Sequence, residues 1–214
     1  MKYSIIIPTW NRCGELLRPC LESIVGNTTG ETMAETEVIV VANGCTDETE
    51  GYVRSLPSNF VLVSYPEPMG YPRAVNAGIK IARGEFVVLM NNDCQVLPYR
   101  PKDEWLDRLR ARFDDPMMGA VGPKKITTED TGEWPFVVFF LVMLRREMFD
   151  RIGMLDESFT PGGGEDIDFC WRLVKEGYKL GSIPDDEVRF DYASDYPIYH
   201  KAEATVHGIP EWEP

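Results

Sequence analysis

Short apolar runs alternate with stretches of helical periodicity through the first hundred residues. Tyr3–Ile7, Glu37–Val41, Phe60–Ser64 and Phe86–Met90 are each too short for a helix and rich in Val and Ile, the pattern of buried strands. Between them, Leu16–Val25, Asp47–Leu56 and Ala74–Ala82 place apolar residues at helical spacing. Leu17, Leu21 and Ile24 share one face, and Val75, Ile79 and Ala82 share another. This alternation predicts an α/β fold with a parallel sheet and right-handed crossovers. Pro19 fits its helix only near the start, because deeper in it would remove a hydrogen bond.

The second half reads differently. Lys102–Phe113, Arg145–Ile152 and Asp166–Gly177 have helical patterns, the last closed by Gly177. Gly119–Gly122, Trp134–Leu144, Lys179–Ile183 and Pro197–His200 read as strands, with a turn-rich stretch at Thr127–Gly132. The expected architecture is a Rossmann-like, mostly parallel central sheet flanked by helices, followed by a mixed and loop-richer half. In open α/β sheets ligands bind beyond the carboxyl ends of the strands, so the residues just after each strand carry the chemistry.

Those residues are Pro8-Thr9-Trp10-Asn11-Arg12, Ala42-Asn43-Gly44-Cys45-Thr46-Asp47, the Pro66–Arg73 stretch with Gly70, and Asn91-Asn92-Asp93. Each alone is ordinary turn chemistry; together they would converge on one edge of the sheet. Asp93, at the tip of a buried strand and expected to point into solvent, suits a hard divalent cation that also binds phosphate oxygens. A second feature is Pro161-Gly162-Gly163-Gly164-Glu165-Asp166-Ile167-Asp168. Helix-dipole complementation explains its acidic first turn but not three glycines, which let backbone approach a ligand closely. Asp166 and Asp168 face different ways, so one can reach a cleft, where a carboxylate serves as general base, while the other serves the helix. The two histidines, His200 and His207, both fall late in the chain, and a neutral imidazole suits a divalent metal.

Length and charge narrow the class. The 214 residues (24.3 kDa) suit one domain of the larger α/β kind. With 22 Lys+Arg against 35 Asp+Glu, a net charge of -13, the surface repels phosphate backbones and anionic membranes. Nucleic acid is therefore not an expected partner, and an anionic substrate needs a local cation. The five cysteines lack C-x-x-C pairing and point to reduced thiols in the cytoplasm. The Tyr3–Ile7 run is too short for a signal peptide's apolar core, and the longest apolar run, Phe136–Leu144, is too short for a membrane span.

Taken in order, these segments resemble the inverting nucleotide-sugar glycosyltransferases of family 2, which have the GT-A fold. Ser4–Arg12 resembles the family's opening strand and turn, and Glu37–Asp47 its second strand and nucleotide loop. Gly70–Gly78 with Ala82-Arg83-Gly84 resembles the helix before the metal strand, and Leu89–Asp93 its D-x-D-like motif. Leu144–Glu147 and Ile152–Glu157 match the approach to the acceptor side, and Glu165–Arg172 the E-D motif with its helix. The resemblance covers Ser4 to about His207. It implies a single glycosyltransferase domain over 1–214, with a nucleotide-sugar-binding half at 1–100 and an acceptor-binding half at 101–214. It implies Asp166 as catalytic base and Asp93, His200 and His207 as metal ligands for Mn²⁺ or Mg²⁺. Pro8, Thr9, Asn11 and Asn43 would line the nucleoside pocket, Arg73 would pair with the phosphates, and Gly70, Asn92, Gly163, Gly164 and Glu165 would complete the substrate contacts. The donor would be a nucleoside-diphosphate sugar, a UDP-sugar ahead of a GDP- or dTDP-sugar, and the acceptor a glycan or other hydroxyl.

The chain departs from the family pattern at Ala42, where an aspartate often reads the base, and at Asn91, which replaces the first acid of D-x-D. A lone Asp93 predicts a weakly held, exchangeable ion. A sugar-1-phosphate nucleotidyltransferase is an alternative, but it needs a Gly-rich basic loop after the first strand. Pro8–Arg12 has no glycine. A non-catalytic nucleotide-sugar or glycan-binding module is the other alternative.

Overall fold

A computed structural model describes residues 1–98, 101–127, 134–183 and 196–201. The strands β1 (Tyr3–Thr9), β2 (Thr36–Asn43), β3 (Phe60–Tyr65) and β4 (Phe86–Met90) form where the apolar runs predict them. They pair in parallel, β4-β1-β2-β3 in spatial order. The sheet extends from β4 through β9 (Leu141–Arg145), antiparallel to its neighbours, to β6 (Met118–Gly122) and β10 (Lys179–Ser182). It is therefore seven-stranded, with the order β10-β6-β9-β4-β1-β2-β3.

Both faces of the sheet are covered, which is why its central strands read as unbroken apolar runs. Ile5, Ile7, Val38, Val40 and Val88 pack on one side with Leu17 of the turn before α1, Leu21 and Ile24 of α1 (Arg18–Asn27), Val53 of α3 (Thr49–Arg54), and Trp105 and Leu109 of α5 (Glu104–Ala111). Ile6, Ile39, Val41, Val87 and Leu89 pack on the other. Their partners are Val75 and Ile79 of α4 (Tyr71–Ile81), Met148 and Phe149 of α6 (Glu147–Ile152), and Phe169 and Leu173 of α7 (Glu165–Lys175). Pro19 sits in the first turn of α1, which follows a π-helical turn at Cys13–Leu17.

Four details differ from the sequence expectation. A short helix α2 (Gly30–Ala34) precedes β2, with no buried side chain to give it a periodic signal. Trp134–Leu144 is not one strand: it divides into β8 (Phe136–Val137), paired with β7 (Lys125–Ile126), and β9, with a turn at 139–140 between them. The turn is held by the Phe140 carbonyl, which accepts from Asn91 N–H at 2.8 Å and so ties the start of β9 to the end of β4. A short strand β5 (Cys94–Val96) follows β4 and pairs antiparallel with β11 (Ile198–His200). The helix expected from Arg145 begins two residues later, because Arg145 is the last residue of β9. Residues 128–132 of the expected turn-rich stretch lie outside the described residues.

Candidate active site

The carboxyl ends of β1, β2 and β4 open into a cleft of about 890 Å³. β9 runs the other way and pairs Leu141 with Met90, so the residues before it, Val138–Phe140, abut the same edge. Residues 160–163, with Glu165 and Asp166, complete the wall. Gly70 makes this closure possible: it lies at φ +85°, and a Cβ there would sit 2.6 Å from Thr160 Cγ2. The next residue, Tyr71, donates its N–H to the Pro161 carbonyl at 2.7 Å.

Asp93 stands just past β4 and is nearly buried, at 5% exposure, rather than pointing freely into solvent. β5 and β11 cover it: Cys94 is the register partner of His200, and Lys201 N–H donates to the Asp93 carbonyl at 3.1 Å. This ladder brings His200, more than a hundred positions away in sequence, to Asp93. Nε2 of His200 lies 3.3 Å from Oδ1 of Asp93, and Oδ1 is buried with no hydrogen-bond partner among the described residues. Phe140 stacks on the imidazole with ring centroids 4.3 Å apart and planes 8° from parallel, which fixes the ring's tilt. A buried carboxylate oxygen facing an imidazole without hydrogen-bond geometry is what two ligands of one cation look like. Two donors each about 2.1 Å from a common ion lie roughly 3.0–3.4 Å apart. The pair of donors therefore fits Mn²⁺ or Mg²⁺.

On the other part of the wall, three successive carboxylates do three jobs. Glu165 accepts the Gly163 N–H at 2.6 Å and so braces the glycine loop; burial, with Asp166 beside it, raises its pKa. Asp168 turns out of the cleft and receives two hydrogen bonds from Arg172, at 2.9 and 2.7 Å. Arg172 also donates to the carbonyls of Ile152 and Met154, so Asp168 anchors α7 to the preceding turn. Asp166 is half-buried in the cleft wall, and burial raises its pKa above the ordinary 3.8, against the pull of the Ile167 and Phe139 main chain. It is the carboxylate of the three best placed to receive a proton from a molecule in the cleft.

Most of the residues singled out from the sequence meet here: Pro8, Thr9, Asn43, Gly70, Arg73, Asn92, Asp93, Gly163, Glu165, Asp166 and His200 all line the cleft. Several also hold its shape. Asn92 donates to the Thr9 hydroxyl at 2.8 Å, tying β4 to β1. Asn43 Oδ1 accepts the Met69 N–H at 2.8 Å, holding the 67–70 loop over β2. Arg73 faces Glu157 at 3.5 Å. Two residues do not line the cleft. Asn11, at φ 53°, accepts the Thr46 N–H on its Oδ1 at 2.7 Å and braces the loops after β1 and β2 against each other. Gly164 is the N-cap of α7 at φ 92°. His207 lies outside the described residues. Trp10, Glu67, Pro68, Met69 and Tyr71 also line the cleft; they lie in strand-end stretches the sequence points to, though none has a role assigned from sequence, whereas Phe139 and Phe140 escape it altogether. Trp10 follows a strand terminus already singled out and so had a signal. Phe139 and Phe140 had none, because they sit within an apolar run that reads as strand.

The mostly parallel sheet, with its cleft at the carboxyl ends of the strands, is the GT-A fold, and solved structures share that fold. A mannosyltransferase from Pyrobaculum calidifontis, in complex with GDP-Man and Mn²⁺, superposes with a TM-score of 0.70 at 24% identity, over 86% of this chain and 55% of that one. GalNAc-T7 with UDP, GalNAc and Mn²⁺ gives 0.71 at 16% identity, over 86% and 42%. The chain belongs to glycosyl transferase family 2, whose model matches residues 4–163. Among curated relatives, an O-antigen biosynthesis protein of Myxococcus xanthus is 28% identical over 84% of this chain and 16% of its own length. The pre-mycofactocin glycosyltransferase of Mycobacterium tuberculosis is 26% identical over 72% of this chain and 37% of its own. Validoxylamine A glucosyltransferase of Streptomyces hygroscopicus is 25% identical over 96% and 58%. The chain thus spans little more than half of these relatives at most.

Proposed function

We propose that this chain transfers a glycosyl unit from a nucleoside-diphosphate sugar to an acceptor hydroxyl with inversion. The observation that carries the reading is one cleft lined both by the Asp93–His200 pair, 3.3 Å apart, and by Asp166, whose pKa burial raises. Asp93 and His200 would hold the divalent ion, which when bound offsets the charge of the diphosphate. Mn²⁺ accompanies the donor or its nucleotide in the solved neighbours named above, and an oxygen–nitrogen donor pair accepts Mn²⁺ or Mg²⁺. Asp166 takes the proton of the acceptor hydroxyl as its oxygen forms a bond to the anomeric carbon. The bond from that carbon to the diphosphate oxygen breaks, and its electron pair leaves with the diphosphate. General-base help of this kind is worth about 10²–10⁴ in rate.

Pro8, Trp10, Pro68 and Met69 all line the cleft and would give the nucleoside largely apolar contacts. The two solved neighbours named above carry GDP-Man in one and UDP with GalNAc in the other, and a UDP-sugar is the donor we place first. All five cysteines are free thiols, which supports a reducing, cytoplasmic location. No helix among the described residues is long and apolar enough to cross a membrane. The test is release of nucleoside diphosphate from a panel of UDP-, GDP- and dTDP-sugars with Mn²⁺. Turnover that needs both the metal and Asp166 supports the reading. Donor binding without turnover under any acceptor would leave only a binding module.

A further inference from the structure

The donor pair has a third member. Sγ of Cys94 lies within 4.8 Å of both an oxygen of Asp93 and a ring nitrogen of His200. The placement follows from the ladder: Cys94 and His200 are direct partners across β5 and β11, so their side chains leave the same face. Asp93 and His200 line the cleft, whereas Cys94 is fully buried behind them. The thiol donates to the Phe140 carbonyl at 3.4 Å, a carbonyl that already accepts from Asn91 N–H at 2.8 Å, so the contact can be given up at small cost.

We propose that Cys94 makes this site bind thiophilic divalent ions, Zn²⁺ above all, through an oxygen, a nitrogen and a sulfur, in competition with the ion that supports catalysis. The inference rests on the assignment of Asp93 and His200 as metal ligands made above. Mn²⁺ and Mg²⁺ gain little from sulfur and leave Cys94 as a thiol. Zn²⁺ takes all three donors: the S–H bond breaks, a zinc–sulfur bond forms, and the proton leaves to solvent. A tetrahedral zinc with a sulfur at about 2.3 Å and lighter donors at about 2.1 Å needs sulfur roughly 3.6 Å from each of them, an inward shift of Sγ on the order of 1 Å, within reach of a side-chain rotation. Zn²⁺ held by all three donors occupies Asp93 and His200 and so competes with Mn²⁺ for them.

The experiment titrates Co²⁺, as a spectroscopic stand-in for Zn²⁺, into the reduced, metal-free full chain. A near-ultraviolet thiolate-to-cobalt charge-transfer band is expected, and stoichiometric Zn²⁺ should abolish it. In Cys94→Ser and Cys94→Ala the band should be absent and Zn²⁺ affinity should fall by more than the roughly 10-fold that loss of even an outer-shell partner costs, while Mn²⁺ affinity, read by electron paramagnetic resonance, changes by less than about threefold. Asp93→Asn in the wild-type background should weaken the band's Co²⁺ affinity by a similar factor, a readout that needs neither Cys94 variant to fold. No thiolate band in the wild-type protein, or a band that survives in Cys94→Ser or is unmoved by Asp93→Asn, overturns the proposal. The two readings fail separately: a protein that binds Mn²⁺ without transferring sugar refutes the function and leaves the thiolate band standing. A protein that transfers sugar with no such band refutes only the zinc site.

Discussion

Asp166 and Asp168 are two positions apart and do opposite work, and the difference is measurable at each. Asp166→Asn keeps the size and removes the proton acceptor, so kcat should fall at least about a hundredfold at nearly unchanged donor affinity. The wild-type kcat should fall on the acid side as pH drops through the pKa of Asp166, which burial holds above the ordinary carboxylate value. That limb should vanish in the residual activity of the variant. Stability moves the other way. A carboxylate whose pKa rises on folding binds more protons in the native state, so its stability contribution falls as pH rises past its unfolded value. Asp166→Asn should therefore melt at or above the wild-type temperature at neutral pH. Asp168→Asn should leave kcat within a few-fold of wild type, because the side chain is committed to Arg172 outside the cleft. It should instead cost about 1–2 kcal/mol in chemical denaturation, since the pair is only partly buried. A dead Asp168→Asn beside an active Asp166→Asn would exchange the two roles.

At the scale of elements, the strands were legible and the junctions were not. β1, β2 and β4 are buried on both faces, so an apolar run of the right length suffices to find them; β3, at the sheet edge, is only partly buried but keeps an apolar run of the same kind. β5 and β11 are short and amount to a single clasp. Nothing in Cys94–Val96 alone announces a strand, because its reason to be extended is a partner more than a hundred residues away. The aromatic turn at Phe139–Phe140 hid for the matching reason: its apolarity serves the cleft and the sheet at once. Candidate site residues on strand ends were found, since polar residues after an apolar run stand out, whereas the cleft's aromatic wall does not. The other end of the sheet shows what holds the elements together. Glu37 on β2 is 1% exposed and accepts from Ser4 Oγ at 2.6 Å, from Arg83 N–H at 2.7 Å, and from the Arg83 guanidinium at 3.0 and 2.7 Å. Burial alone would raise its pKa, but these donors outweigh it and lower it below 4.5. The stability this lends is present above the unfolded carboxylate value and is lost as pH falls through the lower folded one. Glu37→Ala strands the Ser4 hydroxyl and the Arg83 N–H and should cost about 2–4 kcal/mol. Urea melts should show that gap at pH 7 and a narrower one as the solution is acidified towards the folded pKa. A gap that stayed constant with pH would mean the carboxylate's charge is not what the cluster uses.

At the scale of the molecule, the charge balance and the cleft make the same demand. The chain carries 35 acidic against 22 basic residues, and the cleft's own lining includes Glu67, Asp93, Glu165 and Asp166. Arg73 is the one Lys or Arg among the described lining residues, and it already faces Glu157 at 3.5 Å. A nucleoside diphosphate entering this field is repelled unless a cation comes with it, so nucleotide affinity and metal affinity must be coupled, each raising the other by the same factor. In the presence of a chelator, UDP and GDP should give no thermal shift. With Mn²⁺ in excess, whichever nucleotide the pocket accepts should raise the melting temperature as its concentration passes its Kd. Asp93→Ala removes one of the two protein donors from a wall that β5 and β11 keep closed through main-chain bonds, which the substitution leaves in place. The variant should fold, with a melting temperature in chelator within a few degrees of wild type, and should lose the Mn²⁺-dependent part of the nucleotide shift. His200→Ala should raise the Mn²⁺ concentration needed for that shift and keep its full amplitude, because the carboxylate remains. If the Asp93→Ala protein showed the wild-type shift at the wild-type Mn²⁺ concentration, the cation would have to sit elsewhere in the cleft. Arg73 would then be the group to test as the diphosphate's partner.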